Sequence, residues 1–309
     1  MCCPYGERGA KQPELMKGAL FVAGHDVSED QEDLAVLDFP HTLQVRGACA
    51  ELASYGRCMA VDERTTAPPS LRERRRAAAT QEIVDAAERH LTEHGPAALS
   101  LRAVARSLGM TVQALYHYVP SRDTLVTVLV TKGYEDLADA VQAAVDTPSD
   151  EPDLPRLVIA TEGYRRWGIA NPERFQLLYG TPLRDYAAPT DGPTTQASRR
   201  MSAIFERELF AGYSTEQLAA IDAPVLSPAL RSYLEQLPHY GQGHLPAPAT
   251  ALLMSAWGHL HGLVALEVFG HTSFLGGHQA EIFRMAMRNL LADLHRRIPE
   301  HVDPDGGDA

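Results

Sequence analysis

No cysteine occurs after Cys58; Cys2, Cys3, Cys49 and Cys58 complete the set, and none has the C-x2-C spacing of a metal knuckle, so no site is read into them. Long hydrophobic runs are scarce too. Nothing approaches the roughly 20 apolar residues of a membrane helix, and GALFVAG at 18–24 lacks the basic flank and length of a signal peptide. The expected location is therefore the cytoplasm, with no membrane partner. The sequence also contains no G-x-S-x-G elbow, Walker loop, G-x-G-x-x-G or H-E-x-x-H; Gly241-Gln242-Gly243 marks only a loop. Catalytic residues, metal ligands and cofactors are accordingly assigned to no position. Strand-like alternation of useful length and internal repeats are absent as well, which leaves helices. The 309 residues, 45% of them apolar, suffice for two domains with a substantial core.

What is there is best read at 99–125, LSLRAVARSLGMTVQALYHYVPSRDTL. Ser100 is a suitable N-cap, after which Leu101, Val104 and Leu108 share one face; Gly109 stops that helix. Thr111 can cap a second, in which Val112 and Leu115 point one way while Gln113, Tyr116 and His117 share another face. Pro120 forbids continuation, and Ser121 caps a long helix from Arg122 to about Val145. Segments this short need a packing partner, which residues 72–93 supply through Ile83, Ala87 and Leu91, spaced four apart. The pattern is that of a helix-turn-helix.

With the Arg-rich start, the Gly95 turn and the Tyr116-His117-Tyr118 triplet in order, the chain resembles the TetR family of transcriptional regulators. Two small departures are Arg122, where the family often has Lys, and Pro96-Ala97-Ala98 in the turn. The resemblance implies an all-α fold: an N-terminal three-helix DNA-binding domain followed by a C-terminal helical domain for ligand binding and dimerisation. The expected divisions are an extension at 1–70, the DNA-binding domain at 71–133, the ligand and dimer domain at 134–298 and a tail at 299–309.

The overall charge of −12 is unevenly distributed. Residues 71–133 carry nine cationic side chains against six carboxylates, a net +3, leaving −15 for the remainder. A modestly basic module on an acidic body suits phosphate binding by one face. Residues 1–58 read as a different kind of sequence, without sustained periodicity and with an acidic patch at 28–33. Translation is expected to start at Met59 or Val61, the alternative being a disordered or partner-binding tail. An intact mass that includes Cys2 and Cys3 would rule out the later start.

Beyond the acidic linker TPSDEPDLP at 147–155, the pattern predicts helices near 155–170, 172–180, 195–211, 215–221, 228–237, 247–270 and 277–297. Asn171-Pro172 reads as a start signal, Asn as cap and Pro at the first position. ANPERFQLLYGTPLRDYAAP and AWGHLHGLVALEVFGH are similar to a TetR subgroup named for a Trp-His-Gly pattern, here Trp257, His261 and Gly262. The likeness runs from about 70 to 298. It implies a homodimer through the last two long helices and a small-molecule pocket in the core. Ala251, Ser255, Gly258, Gly262 and Ala265 form a small-residue stripe that suits close helix approach, either within one subunit or between two. Trp167, Phe175, Tyr179, Phe205, Trp257, His261 and Phe269 are candidate pocket residues, though aromatic residues at this spacing also make plain core. His259 and His261 point about 200° apart on a helix and do not chelate one ion.

For DNA, the helix starts at Ser100 and Thr111 are expected to meet phosphates, helped by Arg102, Tyr116 and Arg122. Gln113 and His117 are candidates for base edges, with Val112 or Ala114 beside a thymine methyl. Arg72, Arg74, Arg75 and Arg76 are assigned to an arm along the backbone or in the minor groove. The resemblance implies a homodimeric repressor on double-stranded palindromic DNA, released by an unidentified small molecule. The alternatives are a helical small-molecule-binding protein with a vestigial DNA module, and a helical-bundle enzyme.

Overall fold

The computed structural model describes residues 70–148, 151–180, 186, 192–237 and 245–300, and the described part is helical with no strand. The 1–58 segment and its proposed start codon lie outside these residues, as does most of the expected C-terminal tail.

Helix α1 (Leu71–His94) begins at a capping box. The Glu73 amide donates to Ser70 Oγ at 3.3 Å and the Ser70 amide donates to Glu73 Oε2 at 2.7 Å. Those bonds hold the Glu73 carboxyl below its usual range. Ile83, Ala87 and Leu91 form its buried face, and Gly95, at φ 74°, turns the chain out of the helix. A 3₁₀ turn over Pro96–Ala98 follows, which the periodicity did not foresee. Helices α2 (Leu101–Ser107) and α3 (Val112–Tyr116) start at Ser100 and Thr111, whose side chains accept from the amides of Ala103 and Ala114 at 3.2 and 3.1 Å. Between them Gly109 adopts φ 65°. Ser121 then caps α4 (Arg122–Asp146), accepting from the Thr124 amide at 3.0 Å.

Helix α4 belongs to two hydrophobic cores. Leu125, Val126, Leu129 and Val130 close the N-terminal core over Ile83, Ala87, Val104 and Leu115. From Leu137 onward, Ala138, Val141 and Val145 enter the C-terminal core. Each fully buried Leu or Val contributes about 1.5–3 kcal/mol, which is how helices as short as α2 and α3 persist. The changeover falls inside one continuous helix.

The C-terminal half comprises α5 (Arg156–Ala170), α6 (Pro172–Tyr179), α7 (Pro193–Phe210), α8 (Thr215–Ala219), α9 (Pro228–Glu235), α10 (Ala247–Val268) and α11 (Gln279–Arg296). The predicted ends hold to within about two residues. At Asn171 the structure corrects the capping assignment: its side chain donates back to the Trp167 carbonyl at 2.9 Å, sealing the end of α5, and α6 starts on Pro172 without a side-chain cap. The gap between α10 and α11 holds a second unforeseen 3₁₀ turn, Ser273–His278, where Gly276 takes φ 58°. Helix α5 meets α4 at Gly163, where a Cβ would stand 2.9 Å from that of Ala144.

Helix α10 departs from the reading in one respect. By length and composition it is apolar enough to cross a membrane, since Gly258, His259, His261 and Gly262 interrupt the run without making it polar. Its inner face, with Leu252, Ala256, Leu260 and Val264, is buried, while Met254 and Leu266 on the outer side are about half exposed.

Candidate nucleic-acid interface and buried aromatic cluster

The α2–α3 unit places Leu101, Val104, Ala105 and Leu115 inward. On the opposite side, Arg102, Thr111, Gln113, Tyr116 and His117 are exposed, whereas Ser100, Val112 and Ala114 are half-buried and Val112 leans on the domain core. Gln113, Tyr116 and His117 therefore share one open face beside Arg102. Two arginines are more constrained than the sequence implied. Arg122 is half-buried and its Nε donates to the Leu99 carbonyl at 3.2 Å, fixing the turn ahead of α2. Arg76 donates through Nη2 to the His117 carbonyl at 3.1 Å, tying α1 to the end of α3. Arg72, Arg74, Arg75 and Arg76 are all helical, because the Ser70 capping box starts α1 ahead of them, so they do not form an extended arm. The residues before Ser70 lie outside the described residues.

In the C-terminal core, Tyr164 of α5 stands at the centre of a ring cluster. It meets Phe175, Tyr179, Phe205 and Trp257 edge-on at centroid distances of 5.4–6.3 Å. Its hydroxyl is hydrogen-bonded to His261 Nδ1 at 2.8 Å. His261 stacks between Phe175 (5.5 Å, 14°) and Trp257 (5.3 Å, 22°). Burial lowers the pKa of His261 and raises those of Tyr134, Tyr164 and Tyr179, so the neutral forms are favoured throughout; the O–H of Tyr164 then donates to His261. The Tyr179 hydroxyl is buried and interacts with the hydroxyls of Tyr164 and Tyr134. Of the pocket candidates, Phe175, Tyr179, Phe205, Trp257 and His261 are brought together, and Phe269 touches Phe175 at 6.1 Å. Trp167 is buried in the same core but stands outside these ring pairs. Tyr164 and Tyr134 were missed. Their signal was a Tyr on an apolar helix face, which carries no information about what lies opposite.

Helix α6 connects this cluster to the DNA-binding domain. Phe175 and Tyr179 face the rings, while Leu177 and Leu178 pack on the N-terminal core. Arg174 donates to Glu88 of α1 at 3.1 Å and to Asp136 of α4 at 2.8 Å, and Lys132 of α4 donates to Glu88 at 2.6 Å. A groove of about 370 Å³ lies alongside, lined by Asp85, Glu88, Arg89, Thr92, Glu93 and Arg174. This network spans three helices and 86 residues of sequence, beyond the reach of local patterns.

The proposed dimer stripe lies along α10, with Ser255 and Gly258 exposed and Ala251, Gly262 and Ala265 half-buried. A Cβ added at Gly258 or Gly262 would meet nothing within 4 Å in one chain. Met285 of α11 and Phe269 at the end of α10 are exposed as well. His259 is exposed and His261 half-buried in the ring cluster, so the two do not converge, and among the described residues no three metal-binding side chains cluster.

Two family models match: "Bacterial regulatory proteins, tetR family" over residues 83–129 and "Tetracyclin repressor-like, C-terminal domain" over 157–290. The chain is 36% identical over 188 residues to the HTH-type transcriptional regulator Rv1816 of Mycobacterium tuberculosis, covering 61% of this chain and 80% of that protein. The same figures hold for the HTH-type transcriptional regulator Mb1846 of Mycobacterium bovis. Its structure aligns with a solved protein described as regulatory, SCO4313, at TM-score 0.57 and 29% identity over 73% of this chain and 100% of that one. A protein from Rhodococcus sp. RHA1 aligns at TM-score 0.50 and 19% identity over 75% and 99%, a likeness of fold alone.

Proposed function

Since the chain belongs to the TetR family and is a DNA-binding transcriptional regulator, not an enzyme, we propose that it acts as a homodimeric repressor, released from a palindromic operator when a small molecule enters its C-terminal core. The observation that carries the release mechanism is α6, whose residues pack in both cores and whose Arg174 grips α1 through Glu88. A ligand that displaces Phe175 or Tyr179 shifts α6, and α1 and α4 follow through Glu88 and Asp136. A coupling of about 1–3 kcal/mol changes operator affinity about 5- to 150-fold.

The dimer reading is supported by the apolar outer face of α10 and the open space over Gly258 and Gly262. Trp257, His261 and Gly262 on that helix support the Trp-His-Gly subgroup. On DNA, Gln113 and His117 read base edges, with Ala114 or Val112 at a thymine methyl, while Arg102, Tyr116, Thr111 and Ser100 meet phosphate. Arg122 joins them while holding the Leu99 turn in place. Arg72, Arg74 and Arg75 add charge beside the duplex from the exposed start of α1.

Selection of sites from random duplex DNA at moderate salt tests this reading. Enrichment of an inverted repeat with half-sites about one helical turn apart, roughly 34–36 Å, is expected. A single ungapped half-site, or no enrichment by folded protein, overturns it.

A further inference from the structure

We propose that Arg76 is a positioning residue for base readout: its guanidinium fixes the end of α3 that carries Tyr116 and His117, and so sets sequence selectivity without contacting DNA. The proposal rests on the reading in which Gln113 and His117 meet base edges, and it names a residue that decides where they stand.

The first ground is a carbonyl that the local backbone leaves unpaired. At the end of α3 the Ala114 carbonyl accepts from the His117 amide at 3.3 Å, and the Leu115 carbonyl accepts from the amides of Tyr118 and Val119, both at 2.9 Å. The residue three beyond His117 is Pro120, which has no N–H to give to the His117 carbonyl. Arg76 supplies the missing donor from α1, 41 residues away in sequence, through Nη2 at 3.1 Å. A cationic side chain at the C-terminal end of a helix is also favoured by the carbonyls it faces.

The second ground is how little else holds α3. The helix has five residues, and Leu115 is its one buried side chain. Tyr116 and His117 are exposed, so packing of their own side chains does not fix them. Where His117 reaches is then set by its backbone. Hydrogen bonds to bases hold over about 2.7–3.2 Å, so a shift of about 0.5 Å at that backbone is enough to lose one.

Charge is the third. Arg72, Arg74 and Arg75 are exposed in the same first turns of α1 and are available to phosphate. Arg76 differs from them in having its guanidinium engaged by the end of α3.

Fluorescence anisotropy of the full chain over a range of KCl tests this, with the operator duplex recovered by site selection and a random-sequence duplex of equal length. Arg76→Met is expected to lower the operator-to-random affinity ratio about tenfold. The slope of log K against log[KCl] should stay within about 0.5 of the native value, whereas loss of one phosphate contact per subunit would reduce it by about 1.8. Arg76→Ala, the substitution kindest to an exposed helix, carries the same expectation and covers the case in which Arg76→Met does not fold. Arg76→Lys, which keeps a donor of similar reach, should restore most of the ratio. A slope reduced by about 1.8 overturns the proposal whatever the ratio, because Arg76 would then be a phosphate contact. His117→Ala, measured alongside, separates the two readings. An unchanged ratio in that variant overturns the base-edge role of His117. An unchanged ratio in the Arg76 variants beside a lowered one in His117→Ala overturns the role of Arg76 alone. Equal affinity of the native chain for both duplexes overturns base readout and this proposal together.

Discussion

Tyr164 lies at the centre of the ring cluster, and substitution tests what its hydroxyl contributes there. Tyr164→Phe removes the donor to His261 Nδ1 and leaves that nitrogen without its partner. The expected cost is about 1–3 kcal/mol, read as a lower urea midpoint. His261 adds a pH dependence. Burial holds its folded pKa below the ordinary 6.5, so as pH falls the unfolded chain takes the proton first. Its contribution is fully present above about pH 6.5 and is lost as pH falls through the folded value. The groups facing His261 are the neutral phenols of Tyr164 and Tyr179, with no carboxylate in the ring cluster to retain the proton. The thermal midpoint should therefore drop between pH 7.5 and 5.5, and His261→Phe should reduce that drop; His295, lowered by burial as well, adds to it. At this scale the sequence was partly legible. Aromatic letters at helical spacing picked out Phe175, Tyr179, Phe205, Trp257 and His261, but the partner at their centre sits 97 residues from His261, and local periodicity cannot pair residues so far apart.

Among the elements, α1 to α4 were readable because their ends are written in side chains. Ser100, Thr111 and Ser121 each accept the amide three residues on, and Gly95 and Gly109 adopt positive φ where the helices stop. Asn171 shows the limit of such reading. The same amide can cap forward or seal backward, and packing at the α5–α6 corner selects the latter. Crossings between helices were not legible either, since Gly163 signals a close approach only when Ala144 is seen opposite. Gly163→Val should cost about 1–3 kcal/mol in chemical denaturation, because its Cβ would sit 2.9 Å from that of Ala144 and 3.3 Å from the Val141 backbone. For the α1–α6 link, a double-mutant cycle of Glu88→Gln and Arg174→Gln is expected to give a coupling of about 1 kcal/mol, as both side chains are mostly buried. A coupling near zero would leave α6 without a grip on the DNA-binding domain.

For the whole molecule, the sequence predicts an acidic body with a basic reading head, and the described helices supply the two cores that such a division requires. The dimer could be inferred from neither alone. The small stripe was compatible with a seam inside one chain, and the open space over Gly258 and Gly262 is what favours a seam between two. Gly258→Arg should accordingly leave helicity and single-chain stability nearly unchanged, halve the mass in analytical ultracentrifugation, and abolish tight operator binding. Unchanged mass would move the interface away from α10.

The most direct measurement is native mass spectrometry of the full chain bound to its selected operator duplex. Two chains per duplex, with no singly occupied species at intermediate protein concentration and no complex from Gly258→Arg, is the predicted result. A stable complex of one chain per duplex, formed equally well by Gly258→Arg, would contradict the account.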